Sequence, residues 1–312
     1  MYFCKRMQKR ILFIYLIIVV FCSCSKQQGE KTNAVYYWST TFKSDSIQQS
    51  FLRQHHIKKI YLRFFDVVVD EQGNVMPNAT VRFATPVPKD VEIVPVVYIV
   101  NDCLYRSIDK LDSLILQRVT QMCETNDITP FRELQIDCDW TARSRTHYFQ
   151  VLSRLNERAK KQGVALSATI RLHQLGEAPP PVEKGILMLY NTGDVTRLDC
   201  EHPILDMKDA APYLRKLSKY RLPLATAYPV YAWRVLFRKG KFVGILHSDD
   251  ELPIIDGDSI VVREPPLEMV LKAKQAVDKE QRSANDEIIL FDISNENIQQ
   301  INKYHYEKIF YP

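Results

Sequence analysis

Apolar positions recur along this chain with two periods. Over short stretches they alternate every second residue, and over longer ones they return at helical spacing. Strands and helices are therefore expected in turn. The clearest unit begins at Glu133-Leu-Gln-Ile-Asp-Cys-Asp139, where Leu134, Ile136 and Cys138 share one face and Gln135, Asp137 and Asp139 the other. A Thr/Ser-containing turn follows. It leads into an amphipathic run through Tyr148, Val151, Leu152, Leu155 and Ala159, closed by Gly163, a residue type that commonly ends helices.

The rest of the chain repeats this plan. Strands are expected at Val35–Trp38, Lys59–Val68, Val91–Val100, Val164–Arg171, Gly185–Tyr190, Leu222–Tyr228 and Glu287–Ile293. Helices are expected at Asp45–His55, Ser107–Glu124, Asp209–Tyr220, Pro266–Gln281 and Ser294–Phe310, with the fourth strand's helix between them. Two stretches break the rhythm. Asp70–Lys89 carries Gly73 and turn-forming prolines and asparagines, and reads as an irregular excursion in place of the second helix. Residues 234–265 hold Lys239-Gly240-Lys241 between β-type runs, as a hairpin insertion after the seventh strand would. Eight strands alternating with helices define an α/β chain folded as a (β/α)8 TIM barrel, one domain over residues 35–312.

The N-terminus stands outside that pattern. Lys5, Arg6, Lys9 and Arg10 precede an apolar run from Ile11 to Phe21. That run is roughly half the ~20 residues needed to span a bilayer, so it reads as an export signal. Phe21-Cys22-Ser23-Cys24-Ser25-Lys26 resembles a bacterial lipoprotein signal with Cys24 as the lipidated residue and Cys22 as the alternative. Residues 1–24 are then the signal peptide and residues 25–34 a polar tether. The expected location is the cell envelope, on a lipid anchor at the periplasmic side or the cell surface.

Composition narrows the function. Of 312 residues, 46% are hydrophobic and 25% charged, and a net charge of +5 with several cations near the N-terminus leaves the barrel close to neutral. No basic block, zinc spacing or glycine-rich phosphate loop points to nucleic acid or nucleotide. Cys103, Cys123, Cys138 and Cys200 show no CxxC spacing and read as free cysteines, and the histidines show no ligand pattern. Neither a metal nor a cofactor is expected.

A barrel would gather its strand ends at one mouth. These include Asp137, Asp139, Asp194 and Asp292 as candidate catalytic carboxylates. Trp38, Arg63, Asn101, Trp140, Arg171, Tyr190, Tyr228, Tyr231 and Trp233 are candidate substrate contacts, with Asp66 and Tyr98 in the same set. Aromatic faces stack on sugar rings, carboxylates and amides bind hydroxyls, and paired carboxylates suit glycosidic cleavage. The same residues admit a structural reading. Asp137 could pair with Arg63 or Arg171, Asp139 with Arg171, and the aromatic rings could be packing. The expected partner is carbohydrate. Hydrolysis and binding without cleavage, including a role in envelope assembly, both remain open at this point.

Leu134-Gln135-Ile136-Asp137-Cys138-Asp139, with Ser144-Arg145 and Tyr148, resembles the fourth strand–helix unit of an uncharacterised bacterial family of glycosidase-like barrels. Ala34–Trp38 and Leu166–Thr169 are similar to that family's first and fifth strands, and the lipoprotein start looks like exported proteins of the Bacteroidota. The resemblance implies a glycoside-hydrolase-like barrel. A more distant similarity is to glycoside hydrolase family 18, whose fourth strand ends in spaced aspartates with a catalytic glutamate two residues after the last. With Asp137 and Asp139 on those aspartates, that glutamate's place is taken by Thr141.

Overall fold

The structure is a computed structural model that describes residues 31–246 and 252–311. The expected signal, most of the tether and the lipidation site Cys24 lie outside the described residues. Eight parallel strands form the central sheet: β1 (Thr32–Tyr37), β2 (Ile57–Val69), β3 (Glu92–Ile99), β4 (Glu133–Asp137), β5 (Ala165–Arg171), β6 (Lys184–Met188), β7 (Leu224–Pro229) and β8 (Glu287–Phe291). Each pairs with the next, and β1 pairs with both β2 and β8, so the sheet closes into the expected (β/α)8 barrel. β1 begins at Thr32, inside the stretch read as tether, because Thr32 to Val35 pair with Glu287 to Leu290.

Around the barrel run α1 (Ser46–Gln54), α2 (Leu111–Thr125), α3 (Arg145–Lys161), α4 (Met207–Leu214), α5 (Leu267–Gln281) and α6 (Asn295–Tyr304). The outward faces of the strands pack on them. Leu134, Ile136 and Cys138 share one apolar core with Val151, Leu152 and Leu155. Asp45 caps α1 by accepting from the backbone N–H groups of Ile47 and Gln48, both at 3.0 Å. Its other oxygen accepts from Asn295 Nδ2 at 2.7 Å, tying the first helix to the last. Gly185 has no room for a side chain, since a Cβ would sit 2.7 Å from Leu224 and 2.8 Å from Ile170.

The two irregular stretches fall where the sequence places them. After β2 the chain turns back as Val75–Asn78, antiparallel to Asp66–Val69, and no helix forms before β3. After β7, the insertion is larger than a hairpin. Trp233–Arg238 is flanked by Lys241–Leu246 and Asp258–Arg263 in a three-stranded antiparallel sheet. Arg263 Nη2 donates to the Leu198 carbonyl at 2.7 Å, which fastens this sheet to the loop after β6. Two helices are shorter than their periodicity suggests. The final one breaks at His305, in the left-handed region at φ 60°, before a 3-10 turn. α4 ends at Leu214 and resumes as a 3-10 turn at Leu217–Lys219.

Inside the barrel the side chains form levels. At the N-terminal end, Lys184 Nζ lies 2.9 Å from both Glu133 and Glu287, and Lys59 Nζ lies 3.1 Å from Glu133. Ser167 donates to Glu133 at 2.7 Å, and the Tyr61 hydroxyl donates to Glu287 at 2.5 Å. Two lysines and two glutamates thus neutralise one another under the barrel. Above them Ala34, Tyr36, Val94, Val96, Ile186, Met188, Ala225, Ala227 and Ile289 fill the interior. Tyr36 donates there to Gln135 Oε1 at 2.6 Å. Burial pushes the Glu133 carboxyl up, but Lys184 and Lys59 outweigh it, and the group is held below the ordinary glutamate range.

Glu133→Gln leaves two half-buried lysines sharing one carboxylate and is expected to lower stability by about 2 kcal/mol or more at pH 7. A carboxyl depressed in the folded state stabilises above its unfolded value of about 4.3, and that contribution is lost as pH falls through the lower folded value. Urea unfolding at a series of pH values should therefore show the gap between wild type and variant closing in acid. A gap that stays constant would remove the charge contribution.

Candidate functional site at the barrel mouth

The site grows from the register of β4 on β5. Gln135 lies beside Ser167, so the inward residues climb together as Gln135 with Ser167, Asp137 with Thr169, and Asp139 with Arg171. Thr169 Oγ1 donates to Asp137 Oδ1 at 2.5 Å. Arg171 Nη2 reaches the same oxygen at 3.0 Å, while its Nε donates to Asp139 Oδ1. One guanidinium therefore clasps both acids. Asp137 is buried, whereas the Asp139 side chain is 54% exposed. Burial pushes the Asp137 carboxyl up despite Arg171 and Thr169, and the half-buried Tyr98 phenol is pushed up to about 12 by its desolvation and by Asp139 and Asp137.

Of the two arginines that could have paired with these acids, Arg171 takes both. Arg63 instead bonds Asp66 through Nε at 2.9 Å and through Nη2, and its guanidinium lies 5.5 Å from the centre of the Trp38 ring. The reason is local. The β2–β3 register shifts between Arg63 and Phe65, and Asp66 falls within reach of the arginine on its own strand. Asn101, at the end of β3, accepts from Ser144 Oγ at 2.6 Å, and Ser144 accepts from the backbone N–H of Thr141 at 2.9 Å. The loops after β3 and β4 are thus stapled together, with Thr141 held in the staple.

Across the mouth the aromatic rings touch in a chain. Phe291 is its hub, with ring centres 5.7 Å from Trp38, 4.9 Å from Tyr190 and 5.9 Å from Tyr231. Tyr231 continues to Trp233 at 5.4 Å and donates its hydroxyl to Asn191 at 2.6 Å. Phe291 was absent from the residues expected at the site. The inward alternation from Ile289 on β8 is the signal that would have found it.

Other expected members are placed elsewhere. Trp140 is 1% exposed and packs against Tyr148 and Phe149 among the helices, because it steps outward between two inward positions. Tyr228 belongs to the outer core and donates to Asn285 at 2.8 Å. Neither ring has a face left for a ligand. The Asp194 carboxylate closes its own turn, accepting from the Thr196 N–H at 2.9 Å and hydroxyl at 2.6 Å, which hold it below the usual range. Asp292 accepts from Asn297 Nδ2 at 2.7 Å, and burial raises it to about 6 against the pull of its own and Trp38's backbone N–H groups and of Asn297.

Beside Asp139 opens a cavity of about 400 Å³, lined by Arg171, His173, Tyr190, Asp209 and Tyr213 among others. Asp209 and Tyr213 come from α4 and His173 from the 3-10 turn after β5. No strand periodicity announces them, since a loop path brings them in. Among the described residues no group of three or more His, Cys, Asp or Glu could hold a metal ion, and Cys103, Cys123, Cys138 and Cys200 are free. No helix among the described residues is long and apolar enough to cross a membrane.

No protein-family model and no curated sequence matches the chain. Solved structures do. A chitinase from Chromobacterium violaceum ATCC 12472 is 13% identical with a TM-score of 0.54, over 88% of this chain and 99% of that one. A class V chitinase from Pseudomonas fluorescens Pf-5 is 11% identical with a TM-score of 0.52, over 88% and 99%. The spore cortex-lytic enzyme SleL of Bacillus megaterium QM B1551 is 11% identical with a TM-score of 0.52, over 90% and 75%. At such identities the likeness is one of fold. The chain shares with these structures the (β/α)8 barrel architecture.

Arg171→Met strands Asp137 as a buried carboxylate without its cation and is expected to destabilise the protein by about 3 kcal/mol or more. Asp139→Asn, at the exposed end of the same clasp, should cost less than about 1 kcal/mol. Denaturant unfolding of both variants measures the order. Equal effects would mean that the two acids contribute alike.

Proposed function

We propose that this barrel binds a carbohydrate chain at its mouth and does not cleave it. The observation that carries the reading is the Arg171 clasp. Cleavage by paired carboxylates needs two acids flanking the bond, one of them able to give up a proton. Here Asp137 is buried and bonded to Thr169 and Arg171, and Asp139 spends an oxygen on the same guanidinium. The position two residues further on is Thr141, tied to Ser144 and without a carboxyl. What the mouth does offer is Trp38, Tyr190, Tyr231, Trp233 and Phe291 in ring-to-ring contact, a surface suited to the apolar faces of sugars. The names of the chitinase neighbours make chitin-type oligosaccharides the first probe.

A second reading rests on Asp292, whose carboxyl is raised to about 6, in the range of a general acid at neutral pH. On that reading the barrel is a hydrolase with Asp292 as proton donor. The N-terminal pattern ending at Cys24 supports a location in the cell envelope on a lipid anchor. Palmitate labelling that persists when Cys22 and Cys24 are both replaced by alanine would remove the anchor.

Calorimetry with chitin oligosaccharides should show binding by wild type that weakens about tenfold in Trp38→Ala and in Trp233→Ala, with no reducing ends released on long incubation. Release of reducing ends that Asp292→Asn abolishes would replace this reading with the second. Absence of binding, or binding indifferent to both tryptophans, would sink the carbohydrate reading.

A further inference from the structure

His55 is the one buried histidine among the described residues, 3% exposed at the end of α1. Its ring centre lies 4.6 Å from that of Phe51 on the same helix and 6.5 Å from that of Phe310 in the 3-10 turn Tyr306–Phe310. Neither ring nitrogen has a hydrogen-bond partner. The backbone that carries the ring is pinned on both sides. Its N–H donates to the Phe51 carbonyl at 3.0 Å, and its carbonyl accepts from Asn33 Nδ2 at 2.9 Å. The turn opposite is joined to α6 through His305 at φ 60°. Among the described residues its side chains make one hydrogen bond beyond the turn and His305, from Tyr306 to the Pro265 carbonyl.

We infer that His55 is an acid-operated latch, whose protonation frees the turn Tyr306–Phe310 from α1 and opens the lower end of the seam between the first and last strand–helix units. The device is independent of what the mouth binds. A neutral imidazole is tolerated among aromatic rings, but an imidazolium carries a charge and two N–H donors that must reach water or an acceptor. With the His55 backbone pinned, the turn is the side that yields. The titratable groups acting on the ring are Glu307, from the turn, and His56, next in the chain, while β1 offers the uncharged Asn33. Burial holds the ring below the ordinary histidine range, with His56 and against Glu307, which favours the charged form. Glu307 Oε1 is 3.2 Å from His305 Nδ1, and its Oε2 is buried without a partner. The mouth end of the same seam behaves differently. Asn295 and the backbone N–H groups of Gln48 and Ile47 hold the Asp45 carboxyl below its ordinary range, so that tie keeps its charge in mild acid.

An undocked His55 titrates near pH 6.5. The docked turn therefore has its full advantage above that pH and loses it as pH falls below about 6.5, until the lower docked value is passed. Hydrogen exchange of the full chain by mass spectrometry, corrected for the intrinsic pH dependence of amide exchange, tests this between about pH 7.5 and about pH 5. Protection of residues 306–311 is expected to fall about threefold or more in acid, while that of β4 and β5 holds. In His55→Phe and in His55→Gln, which differ in size and polarity but do not titrate, the fall should vanish. In the wild-type protein, NMR titration of the His55 ring gives a second reading that needs no variant. Unchanged protection of the turn, a fall that persists in both variants or spreads evenly over the central strands, or a ring that titrates at or above about 6.5 would overturn the inference. A fall that Glu307→Gln abolishes would overturn it too, by moving the sensor to the glutamate.

Discussion

Charge placed inside a closed barrel has to be neutralised by the barrel itself. The interior of an eight-strand ring is filled by side chains, and an ion there is largely cut off from water. This protein accepts that constraint twice. At the N-terminal end two lysines and two glutamates from four strands neutralise one another. At the mouth one arginine pairs with two aspartates at the end of the neighbouring strand. The charged residues of both sets stand on inward-facing strand positions, so the register that closes the barrel also brings each ion to its partner. A slip of one residue in β4 would turn Glu133, Gln135 and Asp137 outward together.

The two sets differ in what they leave over. The lower one is balanced and closed, with Ser167 and Tyr61 using the remaining lone pairs. The upper one is unbalanced, with a half-exposed Asp139 and an Arg171 nitrogen that has no partner. The same chemistry closes one end of the barrel and leaves a half-exposed carboxylate at the other.

Much of this was legible in the sequence. The period-two face of Gln135, Asp137 and Asp139 locates the mouth, and the matching face of Ser167, Thr169 and Arg171 supplies the arginine. Periodicity reports a residue's face and says little about its height or its partners. Trp140 looked like a site residue because it follows Asp139, yet the step that takes it past Asp139 also turns it outward. Tyr228 was misplaced by one position in the same way, on a strand buried on both sides. Arg63 was read against distant acids when Asp66, three residues along its own strand, lay nearer. Asp209, Tyr213 and His173 could not be seen at all, since turns rather than strand alternation bring them to the cavity. The lysines and glutamates of the lower set sit at strand beginnings, where charged residues usually face solvent, and only closure of the ring reveals them as interior.

The bond between Asp45 and Asn295 spans 250 positions of the chain, and beside it β1 pairs with β8. Such a seam cannot form while the C-terminal strand is unmade. A chain synthesised from its N-terminus carries β1 with one open edge, and Asp45 with one idle oxygen, until the last strand arrives. Closure then joins distant segments against a large loss of chain freedom, which is the slow kind of contact to make. A barrel that can close only at the end keeps one seam open for longest.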